Sequence, residues 1–153
     1  SLRGSLPLKV KSFRMQRAFI ILLTLVCLIG CAKEPEPATP ITWDQIDRSR
    51  VNPRVSLEGH IMLPASVMAT DTMLLPLRQN LEEKEPVVRC STKIGNGKNK
   101  VEAFPKKYTE DDFKLRDNIG ELVPLNSKVR ISGKLIGSPG SFVLFGPLVI
   151  KRL

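Results

Sequence analysis

Lys128-Val129-Arg130-Ile131-Ser132-Gly133-Lys134-Leu135, then the turn Gly137-Ser138-Pro139-Gly140, then residues 141–151, is the stretch whose reading decides the fold. Val129, Ile131, Gly133 and Leu135 alternate with Lys128, Arg130, Ser132 and Lys134. A period of two sends one set inward and the other to water, which is the pattern of a half-buried strand. The glycine- and proline-rich turn sends the chain back on itself, so a β-hairpin is predicted here.

Upstream, the same period recurs. In residues 54–63 Val55, Leu57, Gly59, Ile61 and Leu63 alternate with mostly polar neighbours, Gly59 permits a bend or bulge, and Pro64 ends the run. Residues 72–79 read as a strand interrupted by Pro76, and hence one at a sheet edge, because proline has no N–H to give to a ladder. Residues 87–94 form another, leading into Gly95-Asn96-Gly97-Lys98-Asn99, after which 100–104 reads as the return strand of a hairpin. Thr109-Glu110-Asp111-Asp112 reads as a helix cap or as the start of a strand. Thr42 with Gln45 three residues on caps a short helix from Trp43 to about Ser49, with Trp43 and Ile46 on one face.

Many short strands, glycine turns and few helices predict an all-β domain closed into a small antiparallel barrel with one or two short helices, because closure hides the strand edges. Val55-Ser-Leu-Glu-Gly59, Phe113-Lys-Leu-Arg-Asp117-Asn-Ile-Gly120-Glu-Leu and Lys128-Val-Arg-Ile-Ser-Gly133-Lys-Leu resemble, in that order, the first, middle and fourth strands of OB-fold proteins. The likeness runs over roughly residues 53–152. Residues 87–104 are a hairpin's worth of sequence beyond a minimal five-stranded OB barrel. What the resemblance implies is a binding module that grips oligonucleotides, oligosaccharides or proteins on one barrel face and its loops.

The other end of the chain is organised differently. Met15-Gln16-Arg17 precedes the apolar run 18–29, a positive start before a short hydrophobic stretch, which is the layout of a secretory signal. A spanning helix needs roughly 20 apolar residues, more than this run offers. The run ends in Leu28-Ile29-Gly30-Cys31, which resembles the lipobox of bacterial lipoproteins. The resemblance makes Leu28, Ile29 and Gly30 the signal-peptidase recognition residues and Cys31 the lipidated N-terminus. Cys27 does not fit, because bulky Val26 precedes it. At about 0.8 kcal/mol per buried methylene, the two or three acyl chains expected on such a cysteine hold a protein at the membrane. The expected organisation is therefore a signal peptide over 1–30, with 1–14 an over-extended start before Met15, a lipidated flexible tether over 31–41, and the barrel over 42–153. Pro35, Pro37 and Pro40 keep the tether extended. Glu34 and Glu36 weakly resemble the acidic signal by which some bacteria send lipoproteins outward, favouring the outer membrane over the inner as address; an ordinary solvated linker reads equally well.

The cut changes the charge. The whole chain has 24 Lys and Arg, 15 Asp and Glu, and a formal charge of +9. Arg3, Lys9, Lys11, Arg14 and Arg17 precede Cys31, and removing these five leaves 19 against 15, a balance of +4. The mature chain is mildly basic, which weakens a nucleic-acid reading. With Cys27 removed and Cys31 lipidated, Cys90 stands alone and no internal disulfide is expected. Its expected role is that of a small buried apolar residue.

Catalysis finds little to work with. His60 is the single histidine, so neither a nucleophile with a histidine base nor a tetrahedral metal site with Cys90 is expected, and no cofactor is expected. The carboxylates of 82–85 and 110–112 read as solvated loops rather than a calcium site. Phe104-Pro105-Lys106-Lys107-Tyr108 is the candidate ligand-binding segment: Phe104, Lys106, Lys107 and Tyr108 combine charge with aromatic surface, although a structural anchor fits the same residues. Single-stranded nucleic acid needs aromatic platforms along a basic groove. Phe113, Phe142 and Phe145 sit in apolar-rich strands and read as core, while Lys98, Lys100, Lys128, Arg130 and Lys134 offer the charge. The sequence thus points to a lipid-anchored, non-catalytic binding or assembly module of a bacterial envelope, with a protein or glycan partner. The alternative is a single-strand nucleic-acid-binding OB-fold protein.

Overall fold

The computed structural model describes residues 36–48, 54–67 and 70–153. The expected leader, with Leu28, Ile29, Gly30 and Cys31, and the first part of the expected tether lie outside them. Residues 36–153 form one compact unit. Its strands are β1 (Thr39–Pro40), β2 (Arg54–Ile61), β3 (Thr72–Arg78), β4 (Val88–Ile94), β5 (Lys100–Val101), β6 (Leu115–Arg116), β7 (Leu122–Val123), β8 (Lys128–Ser138) and β9 (Ser141–Arg152). Short 3-10 helices cover Trp43–Arg48 and Glu110–Asp112.

β2 pairs with β3, β3 with β4, β4 with β9, β9 with β8, and β8 with β2, so five strands close a ring. The protein is an all-β, barrel-like fold. β2, β3 and β4 run up and down in turn, and β8 returns by a long connection to lie beside β2, a Greek-key order. The ring is antiparallel, as expected, at four of its five joints, and β4 and β9 are parallel at the fifth. Parity requires it, because alternating directions cannot be maintained around a ring with an odd number of strands.

The β8–β9 hairpin forms as expected, with Ser138 opposite Ser141 across Pro139-Gly140. Its alternation puts Val129, Ile131 and Leu135 in the core and leaves Lys128, Arg130 and Lys134 exposed. The register jumps between Ser132 and Lys134, because Lys134 faces Phe145 whereas Ser132 faces Val149. Residues 146–148 therefore bulge opposite the single residue Gly133, and Gly146 at φ 87° lets β9 bend there.

Gly59 is needed for close approach: a Cβ there would lie 2.7 Å from the Arg78 carbonyl oxygen and 3.0 Å from the Trp43 ring. Trp43 leans over this point and donates its indole N–H to the Glu58 carbonyl at 2.7 Å. Its helix starts as expected, with Thr42 N–H donating to Gln45 Oε1 at 3.1 Å, and it buries Ile46. The end of the expected tether is docked: Thr39 and Pro40 pair parallel to Val55 and Ser56, and Ile41 N–H donates to the Ser56 carbonyl. They cover the part of β2 that β3, paired only at His60 and Ile61, leaves open.

β3 is a ring member rather than a free edge. Pro76 is tolerated because its carbonyl, which accepts from Met62 N–H at 3.0 Å, faces the short β2 ladder. N–H and C=O of a strand residue point to the same side, so the ladder to β4 loses no donor.

The hairpin expected from 87–94 and 100–104 does not form. Val88–Ile94 is the third strand of the ring, and β5 runs parallel to its last residues, Lys93 and Ile94. Residues 113–122, likened above to a middle strand, are instead β6, a turn and the start of β7 outside the ring. Asp117 makes that turn. Its buried Oδ1 accepts the N–H groups of Ile119 at 3.0 Å and Glu121 at 2.9 Å. The segment that reads as cap or strand is both in succession: Thr109 N–H donates to Asp112 Oδ2 at 2.8 Å to open the second 3-10 helix, and β6 follows.

Candidate functional site

The cross-strand register fixes which side chains share a face of the β3–β4 pair. Met73 with Thr92, Leu75 with Cys90, and Leu77 with Val88 point into the core. Thr72 with Lys93, Leu74 with Ser91, and Pro76 with Arg89 share the outer side. Leu74 is 50% exposed there, a large apolar side chain between Thr72 and Pro76 on its own strand.

This outer face forms the floor of an open cleft of about 680 Å³, walled by residues 62–67 of the β2–β3 connection and by Lys84 and Pro86. Ala65, Ser66 and Val67 also border a second cleft of about 570 Å³, whose far wall carries Phe104, Lys106 and Tyr108. The 62–67 segment is thus a rib between two hollows.

The sequence-predicted residues bear on this rib. Tyr108 donates its hydroxyl to the Pro64 carbonyl at 2.7 Å. Its ring lies 4.8 Å from that of Phe104, which in turn stacks 6.1 Å from buried Phe113. This chain of rings fastens the rib to the core. Lys106 lines the smaller cleft and Lys107 is exposed beyond it. Of the four, Phe104 and Tyr108 are brought together as an anchor that shapes both hollows, and Lys106 alone offers charge to one.

Sequence reasoning passed over Leu74, Arg89, Ser91, Lys93 and the exposure of Phe145. Period two in residues 87–94 carries the signal, since Arg89, Ser91 and Lys93 alternate with Val88, Cys90 and Thr92. Phe142 and Phe113 are core, as expected, but Phe145 shares the outward side of β9 with Val143 and is only half-buried.

Charges are distributed unevenly. The ion pairs among the described residues all draw on Glu58, Glu102 and Glu121, with Lys114, Arg116, Lys128, Arg130 and Arg152 as their cations. Glu58 is held below the usual carboxylate range, first by its hydrogen bond to Arg130 and then by that to Lys128. Arg89, Lys93, Lys98 and Lys100 have no such partner among the described residues.

Cys90 is fully buried, and loss of hydration pushes its thiol up to about 12, so it packs as an apolar group and is not a nucleophile at neutral pH. His60 is tied to a neighbouring loop: its Nδ1 lies 2.9 Å from the Asn126 carbonyl oxygen, which can only accept, so Nδ1 carries the hydrogen. Among the described residues no three His, Cys, Asp or Glu side chains converge to hold a metal, and no helix is long and apolar enough to cross a membrane. Comparison with family models, with curated proteins and with solved structures finds no match.

Proposed function

We propose that this chain is a lipid-anchored, non-catalytic binding or assembly module of a bacterial cell envelope, built on an OB-like barrel. Its partner, a protein or glycan, lies on the outer face of β3–β4 and its flanking rib. The observation that carries the reading is the open cleft of about 680 Å³ on that face, floored by rigid strands and carrying exposed Leu74 beside Arg89 and Ser91. Ligand hollows combine apolar surface with a few placed polar groups, and positions on strands hold those groups more precisely than loops do. The five-stranded ring in Greek-key order supports the OB-like reading, and the strands of this face are the second and third of that ring. Residues 28–31 supply the anchor in this reading. The tether then reaches the barrel at β1, on the β2 side, leaving the β3–β4 cleft free to meet a partner.

Recovery of the tagged protein from detergent-solubilised membranes, with Leu74→Asp alongside, tests this. The wild-type chain is expected to carry fatty-acid label and to bring down a reproducible protein or glycan, which Leu74→Asp loses while keeping the label. A protein that carries no label, and whose size is unchanged by a lipoprotein signal-peptidase inhibitor, would refute the anchoring. An identical recovery with Leu74→Asp would refute the site.

A further inference from the structure

We propose that the β3–β4 face takes an acidic glycan, a sugar polymer bearing carboxylate, phosphate or sulfate groups, and that one such group seats in a lysine-lined notch at the end of the face. This rests on the reading of that face as the binding surface and names the chemistry of its ligand.

The notch exists because β9 leaves β4. Their ladder covers only Val88 to Cys90, and beyond it Gly146 and Pro147 bulge outward. The space left is a cleft of about 190 Å³ between Ser91 and Lys93 of β4, the bulge, Lys98 of the 95–99 turn and Lys100 at the start of β5. That size suits one charged substituent rather than a whole chain. Bulges commonly re-aim or interrupt a ladder beside a functional site.

The turn that bears Lys98 and leads into Lys100 is pinned. Asn99, at φ 54°, donates its N–H to the Asp117 carbonyl at 3.0 Å, and its Oδ1 accepts Ile150 N–H at 2.7 Å. Lys98 and Lys100 flank this doubly tied residue, so their backbone positions are set before any ligand arrives. Three cations with no acidic partner among the described residues are thus gathered around one small hollow, an arrangement whose repulsion an anion relieves.

Ser91 also borders the larger cleft, so the two hollows form one track along β4. Lys93 and Arg89 lie on the same side of this strand, roughly 13 Å apart at about 3.3 Å per residue. A polymer with repeated anionic groups meets both, with exposed Leu74 between them.

Other anionic partners fit less well. Single-stranded nucleic acid is held by successive aromatic platforms, and among the described residues no aromatic side chain lines the β3–β4 cleft or the notch. An extended acidic peptide would add to a strand edge, and β4 is paired with β3 on one side and with β9 and then β5 on the other. An anionic membrane would be met from the tether side, whereas β4 and β9 are the two ring strands not adjacent to β2, on which the tether docks.

The test is calorimetric titration of the detergent-solubilised full chain with heparin oligosaccharides, neutral dextran oligosaccharides, oligo(dT) and phosphatidylglycerol vesicles. Lys93→Ala/Lys98→Ala/Lys100→Ala is compared with Lys114→Ala/Lys151→Ala/Arg152→Ala, which removes the same charge elsewhere. Heparin is expected to bind most tightly, with affinity that falls as salt rises, and to lose at least about tenfold in the first variant but less than about twofold in the second. Equal losses in both variants would reduce the effect to net charge and overturn the proposal. So would tighter binding of oligo(dT) or vesicles, or no heparin binding. Dextran binding that Leu74→Asp abolishes and the lysine variant leaves intact would overturn the acidic ligand while the β3–β4 site stands.

Discussion

The outer face of β2–β8 and the outer face of β3–β4 belong to one barrel, and both carry cations, yet they treat them in opposite ways. On β2–β8, Glu58 stands opposite Arg130 in the ladder and receives both Arg130 and Lys128, the latter at 3.1 Å. On β3–β4, Arg89 and Lys93 alternate along the strand just as regularly, and across the ladder they meet Pro76 and Thr72. Around Glu58 the first face pairs its cations, while Arg54 and Lys134, opposite each other further along the same ladder, meet no acid among the described residues; on the second face no cation is paired among the described residues, and two hollows lie beside it. Exposed ion pairs add little to stability, so the acid on β2 is best understood as silencing that face, and its absence on β3 as leaving the other face able to act.

The comparison assumes that both faces rest on the same core, and removing the core beneath each one tests that assumption with the largest effect. Leu57 lies under the paired face and Leu75 under the open one, and both are essentially inaccessible. Leu57→Ala and Leu75→Ala are each expected to cost about 2–5 kcal/mol in denaturant unfolding. A much smaller cost for Leu75 would mean that β3–β4 opens separately, and the contrast would then lie in rigidity rather than in charge.

A smaller effect, confined to alkaline pH, probes the interior of the open face alone. Cys90 sits between Arg89 and Ser91 in sequence but points inward, with its thiol raised from 9.0 to about 12 by burial. A raised folded-state value favours the neutral thiol, so its contribution is fully present below the unfolded value near 9 and is lost as pH climbs toward 12. Relative to Cys90→Val, the wild-type protein is expected to lose about 1.4 kcal/mol per pH unit above 9. Parallel pH profiles for the two proteins would show that the thiol ionises in place, and that water and the nearby cations reach through the sheet.

How much of this contrast was legible beforehand depends on distance along the chain. The β8–β9 hairpin and the β2 pattern were readable because alternation and turn residues are local, and the helix at Trp43 because Thr42 and Gln45 are three apart. The turn at 95–99 was also readable, but glycine and asparagine announce that the chain turns, not which way it leaves. Lys100 therefore went to a hairpin it does not form. The candidate segment at Phe104 and Tyr108 was found by its composition, and its attachment to Pro64 was not, since the two are 44 residues apart. Arg89, Ser91 and Lys93 were visible as an alternating set. What could not be seen was the lack of an acid opposite them, because that is decided by β3, a strand whose partner only the closed ring reveals.

Removing the acid from the paired face should produce the smallest change in stability and the most direct test of the contrast. In Glu58→Gln, Arg130 and Lys128 keep their places but lose the carboxylate, so β2–β8 becomes a second face of unpaired cations. Glu58 is exposed enough that solvent screens the pair, and only a slight loss of stability near neutrality is expected. Its titration has a definite sign. The lowered carboxyl favours the charged form in the folded chain, so its contribution is present above the unfolded value of 4.5 and disappears as pH falls through the lower folded value. Acid unfolding of Glu58→Gln should therefore converge with that of the wild-type protein at the lowest pH and diverge above it. If silencing is what distinguishes the faces, the variant also gains salt-sensitive heparin binding that Lys93→Ala does not remove, because the new anion site lies on β2–β8. If heparin binding is unchanged, cations beside a hollow do not by themselves make a site, since Lys128 and Arg130 also border a cleft of about 710 Å³ against Trp43, and the three lysines gathered at the β9 bulge are what the open face contributes.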